Sequence, residues 1–150
     1  MNNIKQSTLQ VIDAYKTAVF EKNVDAFINL YSENVWVFDA WSAWSYDSLE
    51  SWRKMVDEWF VSLGNERVKV NFEEVRAIDE QELTIVTSIV TYAGYSAEGE
   101  KLHALQNRLT WTLKPEGNAV RIVHEHTSVP VGFNDKKAIL LRETQSCPAK

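Results

Sequence analysis

The sequence predicts an α+β fold in which three N-terminal helices pack on a curved, mainly antiparallel sheet, giving a cone-shaped α+β barrel. Apolar residues recur at helical spacing through most of the first 63 residues, and four long strand-like segments follow in meander order. The chain has only five Gly and three Pro, so each of these residues is informative about where an element ends. A curved sheet wrapped around helices encloses a cavity, and the fold therefore predicts a pocket.

The length and composition fit one globular domain. We assign the 150 residues to a single domain at 1–130 and a C-terminal tail at 131–150. Apolar residues make up 45% of the chain and charged residues 25%, which excludes global disorder. A chain of this size buries about 68–70% of its unfolded surface, enough for a sizeable core.

The charge balance and the N-terminus bear on partners and location. Sixteen Lys and Arg against 21 Asp and Glu give a net charge of −5, which argues against nucleic acid and anionic membrane surfaces as partners. No apolar run approaches the ~20 residues that cross a bilayer, and the start MNNIKQSTLQ lacks an apolar signal region. We therefore expect a cytoplasmic protein. The single cysteine, Cys147, has no partner for an internal disulfide, and its place near the terminus argues against a nucleophilic role.

Helical spacing predicts the first two elements. Residues 6–22 form a helix capped by Ser7 or Thr8 and ended near Asn23. A second, short helix follows, with Asp25 in its first turn. The apolar residues on one face of this short helix are Phe27, Ile28 and Tyr31.

A strand, a loop and a third helix come next. Residues 35–39, VWVFD, are rich in β-branched and aromatic side chains and predict a strand. Residues 40–48 have no clear period and predict a loop. The third helix is strongly amphipathic, begins at a Ser48 or Ser51 cap and ends at Gly64. Its apolar positions are Trp52, Met55, Val56, Trp59, Phe60 and Leu63.

The remainder of the domain is strand-like. The alternating residues Val68, Val70 and Phe72 open this part, and the other predicted strands are 83–93, 102–113 and 120–129. The sequence P-E-G-N between the last two is a good hairpin turn. Pro130 ends the last strand, and a short helical stretch is expected around residues 137–142.

The last hairpin decides which side chains face the predicted pocket. A turn centred on residues 116–117 places Trp111 opposite Ile122 and Arg108 opposite Glu125. Arg108 and Glu125 then form either an ion pair at the pocket mouth or a solvated surface pair worth less than ~1 kcal/mol.

The H-E-H sequence at 124–126 raises the question of a metal. In this register His124 and His126 lie on the same face as Trp111. A third ligand would come from His103 or a carboxylate, but no spacing supplies one, so histidines satisfied by neighbours or lying at a subunit interface are favoured. No Gly-rich phosphate loop, G-x-S-x-G elbow or C-x-x-C pair occurs. We predict neither a metal nor a cofactor.

Aromatic residues are the unusual part of the composition. There are six Trp, five Tyr and six Phe, and five of the Trp lie between positions 36 and 59. Such rings fill a core, line a pocket or build an oligomer interface, and composition does not choose among these. The loop segment 41–46 is either a lid over the cavity or an exposed interface patch.

Two segments carry a resemblance that covers roughly residues 5–130. DAYKTAVFEKNVDAFINLYSENVWVFDA resembles the ketosteroid-isomerase branch of the nuclear-transport-factor-like superfamily, which also holds the SnoaL-like polyketide cyclases. Tyr15 and Asp39 fall, without a gap, on the positions of the isomerases' oxyanion-hole tyrosine and proton-shuttling aspartate. The isomerases' second acid matches a region near Asn107, where no aspartate stands. RIVHEHTSVP is similar to the V-H-x-H-x-S-x-x-P signature of the calcium/calmodulin-dependent kinase association domain.

The resemblance implies a homodimeric, cofactor-independent protein that binds a small, largely apolar molecule. If it is an enzyme, the reaction is acid–base work next to a carbonyl, or a hydration or cyclisation of that kind. Asp39 is then the base and Tyr15 the oxyanion donor, with Arg108 and Glu125 orienting a polar end of the ligand. The predicted ligand-binding residues are Trp41, Tyr46, Trp59, Tyr92, Arg108, Thr110, Glu125 and His126.

Two alternatives stay open at this point. The first is a non-catalytic association module whose aromatic and histidine-bearing surfaces build an oligomer. The second concerns the two catalytic candidates themselves: Tyr15 lies on the apolar face of its helix and also suits a core tyrosine, and Asp39 also suits a cap for the loop that follows it.

Overall fold

The computed structural model describes residues 3–142, and these form three helices and five strands. The elements, in chain order, are α1 (Gln6–Glu21), α2 (Val24–Ile28), β1 (Tyr31–Phe38), α3 (Leu49–Ser62), β2 (Arg67–Glu80), β3 (Leu83–Tyr95), β4 (Lys101–Glu116) and β5 (Ala119–Ser128). Cys147 and the last part of the predicted tail, residues 143–150, lie outside the described residues.

The five strands form one sheet in the order β1-β5-β4-β3-β2. Strand β1 runs parallel to β5, and the other three pairings are antiparallel. This confirms the predicted α+β class, with helices packed against a curved, mainly antiparallel sheet. The sheet is not closed, because β1 and β2 are its two edges.

The core lies between the helices and the inner face of the sheet. Trp111, at the centre of β4, is fully buried, and its ring packs 5.5 Å from Tyr15 of α1 and 5.4 Å from Phe72 of β2. Phe27 of α2 is equally enclosed and contacts rings from α1 and α3. Aromatic pairs at these distances add about 0.5–1.5 kcal/mol each beyond the area they bury, so part of the unusual aromatic content stabilises the core.

The helix boundaries differ from the prediction at three points. The N-cap of α1 is Lys5, which makes no side-chain cap, so the predicted caps at Ser7 and Thr8 are wrong. Asn23 does more than end α1, because its Oδ1 accepts the N–H of Ala26 and so caps α2. Tyr31 begins β1 rather than closing the second helix, since that helix ends at Ile28.

The last hairpin has a different register from the predicted one. Trp111 pairs with Glu125 and Arg108 with Ser128, so the predicted pairs Trp111–Ile122 and Arg108–Glu125 are wrong. The turn lies at Gly117 and Asn118, and an irregularity in β5 adds a further residue between two successive pairs of the ladder.

The chain after β5 does not form the helical stretch expected around residues 137–142. Val131 instead makes an isolated antiparallel bridge with Ala138, and the carbonyl of Leu140 accepts the backbone N–H of Gln106 at 2.7 Å. Arg142 then donates to the carboxylates of Glu73 and Glu74, both at 2.8 Å. Hydrogen bonds to the existing sheet thus satisfy backbone groups that the predicted helix would have paired internally.

The start of α3 provides a test of local stability. Ser48 and Ser51 form a capping box: Ser48 Oγ accepts the Ser51 N–H at 3.1 Å, and Ser51 Oγ accepts the Ser48 N–H at 3.3 Å. We expect Ser48→Ala to lower the free energy of unfolding by about 1 kcal/mol, because it leaves an N-terminal donor of α3 without its partner. Urea denaturation measures this change. Ser7→Ala is the matched control, since Ser7 is not a cap, and a loss as large as that of Ser48→Ala would contradict the assignment.

Candidate active site

A cavity of about 300 Å³ lies between the helices and the inner face of the sheet. Its lining residues are Tyr15, Phe27, Asp39, Trp41, Trp52, Met55, Trp59, Leu63, Val68, Tyr92, Gly94, His103, Leu105, Asn107 and Glu125. Most of them are aromatic or aliphatic, and a few polar groups converge among them, as is usual for small-molecule sites. The volume is at the lower end of the range for such sites and suits one small molecule.

Asp39 follows directly after β1 and is held in place by its neighbours. Its Oδ1 accepts the hydroxyl of Thr127 at 3.0 Å, and its Oδ2 accepts the backbone N–H of Trp41 at 3.3 Å. The Thr127 oxygen in turn accepts the N–H of Ala40 at 2.9 Å. Burial raises the pKa of Asp39, and these hydrogen bonds work against the rise because they favour the carboxylate. Asp39 therefore caps its loop and also faces the cavity.

Glu125 is the most deeply buried charged side chain of the site, with 2% of its surface exposed. Its Oε1 accepts the Tyr31 hydroxyl at 2.6 Å and the indole N–H of Trp111 at 2.9 Å. Its pKa is raised to about 7: burial is the largest cause and the nearby charge of Asp39 adds to it, while the hydrogen bonds from Tyr31 and Trp111 work against the rise. Near neutral pH the Glu125 carboxyl is thus partly protonated. The proton belongs on Oε2, because Oε1 already accepts two hydrogen bonds.

The hydroxyl groups of Tyr15 and Tyr92, which both line the cavity, are hydrogen-bonded to each other, with their oxygens 2.8 Å apart. Burial is the main cause that raises the pKa of each phenol, and Glu125 raises both further. Both phenols therefore stay protonated and act as hydrogen-bond donors rather than as bases. Tyr15 also packs against Phe27 and Trp111, so it belongs to the core and to the cavity at once.

Two buried polar atoms of the cavity lining have no hydrogen-bond partner among residues 3–142. They are Oδ1 of Asn107 and Nε1 of Trp52. Buried polar groups in native proteins are nearly always paired, so unpaired atoms facing a cavity indicate a group that fits there when the site is occupied.

The mouth of the cavity combines an aromatic ring with a histidine–carboxylate pair. Trp41 keeps 46% of its surface exposed. On the other side, His103 Nε2 lies 2.5 Å from Glu66 Oε2, beside Gly94. A Cβ at position 94 would lie 2.1 Å from that Glu66 oxygen, so only glycine allows the pair to lie so close to the strand.

The structure brings six of the ten predicted site residues to this cavity. These are Tyr15, Asp39, Trp41, Trp59, Tyr92 and Glu125. Tyr46 instead packs on Trp52 at 5.3 Å, outside the lining.

The other three predicted residues lie on the outer face of the sheet. Arg108 is exposed and donates from Nε to the hydroxyl of Ser128 at 3.0 Å. Thr110 pairs with His126, which is also exposed. Arg108 and Thr110 face outward because they alternate with the buried Leu109 and Trp111 of β4. The extra residue in β5 places Glu125 and Thr127 on the inner face and turns His126 outward.

Several lining residues are not among the site residues predicted from the sequence. These are Phe27, Trp52, Met55, Leu63, Val68, Gly94, His103, Leu105 and Asn107. A signal for Asn107 was present, because it alternates in step with the buried residues Leu109, Trp111 and Leu113 of β4. An amide on the apolar side of a strand is a candidate site residue for that reason.

The H-E-H histidines form no metal cluster. In residues 3–142, no group of three or more His, Cys, Asp or Glu side chains could hold a metal ion. His124 hydrogen-bonds the Trp36 carbonyl through Nδ1 at 2.7 Å, and its ring stacks on the indole of Trp36 at 4.5 Å.

Among residues 3–142, no helix has the length and apolar character needed to traverse a bilayer.

Comparison with solved structures agrees with this architecture. An NTF2-like protein of unknown function from Pseudomonas putida KT2440 superposes with a TM-score of 0.78 at 16% identity, over 91% of this chain and 93% of that one. A provisionally assigned calcium/calmodulin-dependent protein kinase II association domain from Xanthomonas campestris gives 0.67 at 16% identity, over 85% and 88%. A provisionally assigned aromatic ring hydroxylase from Novosphingobium aromaticivorans gives 0.64 at 11% identity, over 81% and 85%. No curated protein matches the sequence.

The helices, the open five-stranded sheet and the enclosed aromatic cavity define an NTF2-like α+β protein. Within this class the chain belongs to the SnoaL-like domain family, whose pattern matches residues 9–132. This confirms the predicted membership of the nuclear-transport-factor-like superfamily.

The burial of Glu125 predicts a pH-dependent stability. Its pKa is about 7 in the folded state and ~4.3 in an unfolded chain, so between these values the folded state holds a proton that the unfolded state has lost. The free energy of unfolding therefore falls as the pH rises through this window, by a total on the order of 3 kcal/mol, and levels off above it. Glu125→Gln should remove this part of the pH-dependent decrease in the free energy of unfolding, because an amide does not titrate.

Urea denaturation of both proteins at half-unit steps from pH 5 to pH 8 measures the difference. Glu98→Gln, at the exposed turn between β3 and β4, is the control and should follow the wild-type profile. A Glu125→Gln profile as steep as that of the wild type would contradict the assignment.

Proposed function

We propose that this protein binds a small, largely apolar carbonyl compound in the cavity and catalyses cofactor-independent acid–base chemistry next to the carbonyl, of the isomerase, cyclase or hydratase type. The observation that carries the proposal is the presence of two carboxyl groups, Asp39 and Glu125, in one aromatic cavity and in different environments. Pairs of titratable groups whose surroundings push their pKa values apart are typical of acid–base sites.

Asp39 suits the role of base. It is half-buried, and a hydroxyl and a backbone N–H hold its carboxylate in one orientation. Its raised pKa increases its strength as a proton acceptor, and the hydrogen bonds favour its ionised form. A proton next to a carbonyl is the kind of proton that such a base removes.

The developing negative charge on the substrate oxygen needs a donor. The protonated Glu125 Oε2 and the paired phenols Tyr15 and Tyr92 are the donors that line the cavity. Preorganised donors of this kind stabilise an enolate strongly in a site that excludes water, and removal of one costs about 10²–10³ in rate. The apolar walls add to this effect and select a substrate that is mostly hydrocarbon.

Exchange of carbon-bound hydrogen tests the proposal. A panel of enolisable ketones is incubated with the protein in D₂O, and deuterium incorporation next to the carbonyl is followed by NMR. We expect at least one compound to exchange faster than in buffer, and Asp39→Asn to lower that enhancement by about 10²–10⁴. Asp13→Asn, an exposed position on α1, is the matched control and should exchange as the wild type does.

Two results would count against the catalytic role. Exchange that survives Asp39→Asn unchanged would exclude Asp39 as the base. A loss of exchange that accompanies loss of folded structure, seen by circular dichroism, would assign Asp39 to the loop alone.

A second function, assembly into a homodimer, has its own observation. The outer face of β1 and β5 carries a patch of four rings, which we call the outer aromatic patch: Trp36, Phe38, His124 and His126. Trp36 and Phe38 are 44% and 38% exposed, and both contact the ring of His124, at 4.5 and 5.2 Å. Contiguous exposed aromatic surface is typical of interaction sites, and a second copy of the chain is the partner we propose.

Sedimentation velocity tests the dimer. We expect the wild type to sediment as a dimer and Trp36→Glu to sediment as a monomer, because two patches would then each carry a charge at their contact. Val61→Glu is the matched control, since Val61 is 72% exposed but lies on α3. A monomeric wild type, or a Trp36→Glu variant that remains a dimer, would contradict this proposal.

A further inference from the structure

The carboxamide of Asn107 is a recognition group that the acid–base roles do not use. Asn107 is 7% exposed, lies on the inner face of β4 and lines the cavity, yet its Oδ1 has no hydrogen-bond partner among residues 3–142. An unpaired buried acceptor is destabilising, so this atom favours a bound molecule that offers it a donor.

Tyr92 is a neighbour of the amide. The Asn107 side chain opposes the rise in the Tyr92 pKa that burial causes, so it lies close to that phenol. Oδ1 is the acceptor atom of the amide, and it is the atom that has no partner among residues 3–142.

The other polar groups of the cavity complement Asn107. Glu125, with its proton on Oε2, offers a donor, which suits a carbonyl. Asn107 Oδ1 is a neutral acceptor, which suits a hydroxyl. A ligand that satisfies both ends therefore carries a carbonyl and a hydroxyl.

The spacing along the sheet separates these two groups. Glu125 pairs with Trp111 of β4, and Asn107 lies four residues further along the same strand. At about 3.3 Å per residue this places the two backbone positions roughly 13 Å apart. Both side chains line the cavity, so positions this far apart can hold the two ends of a small ring, and we place the hydroxyl and the carbonyl at opposite ends of the ligand.

We infer that Asn107 is a specificity-determining residue that selects a hydroxyl-bearing carbonyl compound, with the hydroxyl across the ring from the carbonyl. The inference rests on the proposed function, because it takes the carbonyl end to be held at Glu125 and next to Asp39. It extends that function by naming the second functional group of the substrate class.

Affinities for three matched ketones test the inference. The probes are acetophenone and its two ring-hydroxylated derivatives 4′-hydroxyacetophenone (para) and 2′-hydroxyacetophenone (ortho), and binding is measured at pH 6 by calorimetry. One hydrogen bond contributes about 0.5–1.5 kcal/mol, so we expect the 4-hydroxy compound to bind roughly 2- to 12-fold more tightly than acetophenone. The 2-hydroxy isomer should gain nothing, because its hydroxyl bonds to its own carbonyl.

Leucine has nearly the volume of asparagine but no polar side-chain atoms. The Asn107→Leu variant should therefore bind the 4-hydroxy compound and acetophenone with about equal affinity. Asn107→Ala serves as the second variant if the leucine does not fold, and the comparison of the two isomers on the wild type needs no variant. Equal affinities of the wild type for all three ketones, or a preference that survives in both variants, would overturn the inference.

Failure of the inference is distinguishable from failure of the proposed function. A 4-hydroxy preference that depends on Asn107, together with no Asp39-dependent exchange, supports the inference and overturns the catalytic proposal. Asp39-dependent exchange together with equal affinities for the three ketones supports the catalytic proposal and overturns the inference. No binding of any of the three ketones counts against both.

Discussion

The extra residue in β5 is the constraint on which the site depends. Thr112 pairs with His124 and the next residue, Leu113, pairs with Ile122, so Val123 is left over in the ladder. Side chains of a strand alternate between the two faces, and one inserted residue reverses the alternation beyond it. Glu125 comes three positions after Ile122, so in a regular strand the two side chains would lie on opposite faces. The extra residue lets both face inward.

The reversal places a carboxyl group where a hydrocarbon would otherwise pack. A charged carboxylate in such surroundings is costly, and two features reduce the cost here. Tyr31 and Trp111 donate to one oxygen, and the raised pKa of about 7 lets the group take up a proton near neutrality. The same arrangement that makes Glu125 tolerable in the core makes it a hydrogen-bond donor toward the cavity.

The parallel pairing of β1 with β5 completes the site. Phe38 pairs with His126, so Asp39 comes beside Thr127 and receives its hydroxyl. The two carboxyl groups therefore come from neighbouring strands, yet only Glu125 is fully enclosed. On the opposite face the same two strands present the outer aromatic patch, so the inner and outer faces of one strand pair carry the two functions proposed above.

The sequence by itself determined the class of fold, because helical and strand periodicities follow from which side chains can be buried together, and these periods were clear in α1, α3 and the four later strands. It also proposed Asp39 and Tyr15 as candidate site residues through their resemblance to the isomerases, and both line the cavity. Only the tertiary structure decided which face of the last hairpin is inside. A bulge is a single residue with no sequence period of its own, and the turn residues P-E-G-N fit more than one register, so Arg108 was expected at the cavity and Asn107 was not. Packing of Trp111 against Tyr15 of α1, with Leu109 and Leu113 in the same core, fixes the inner face of β4, and Asn107 lies inside because it alternates with them.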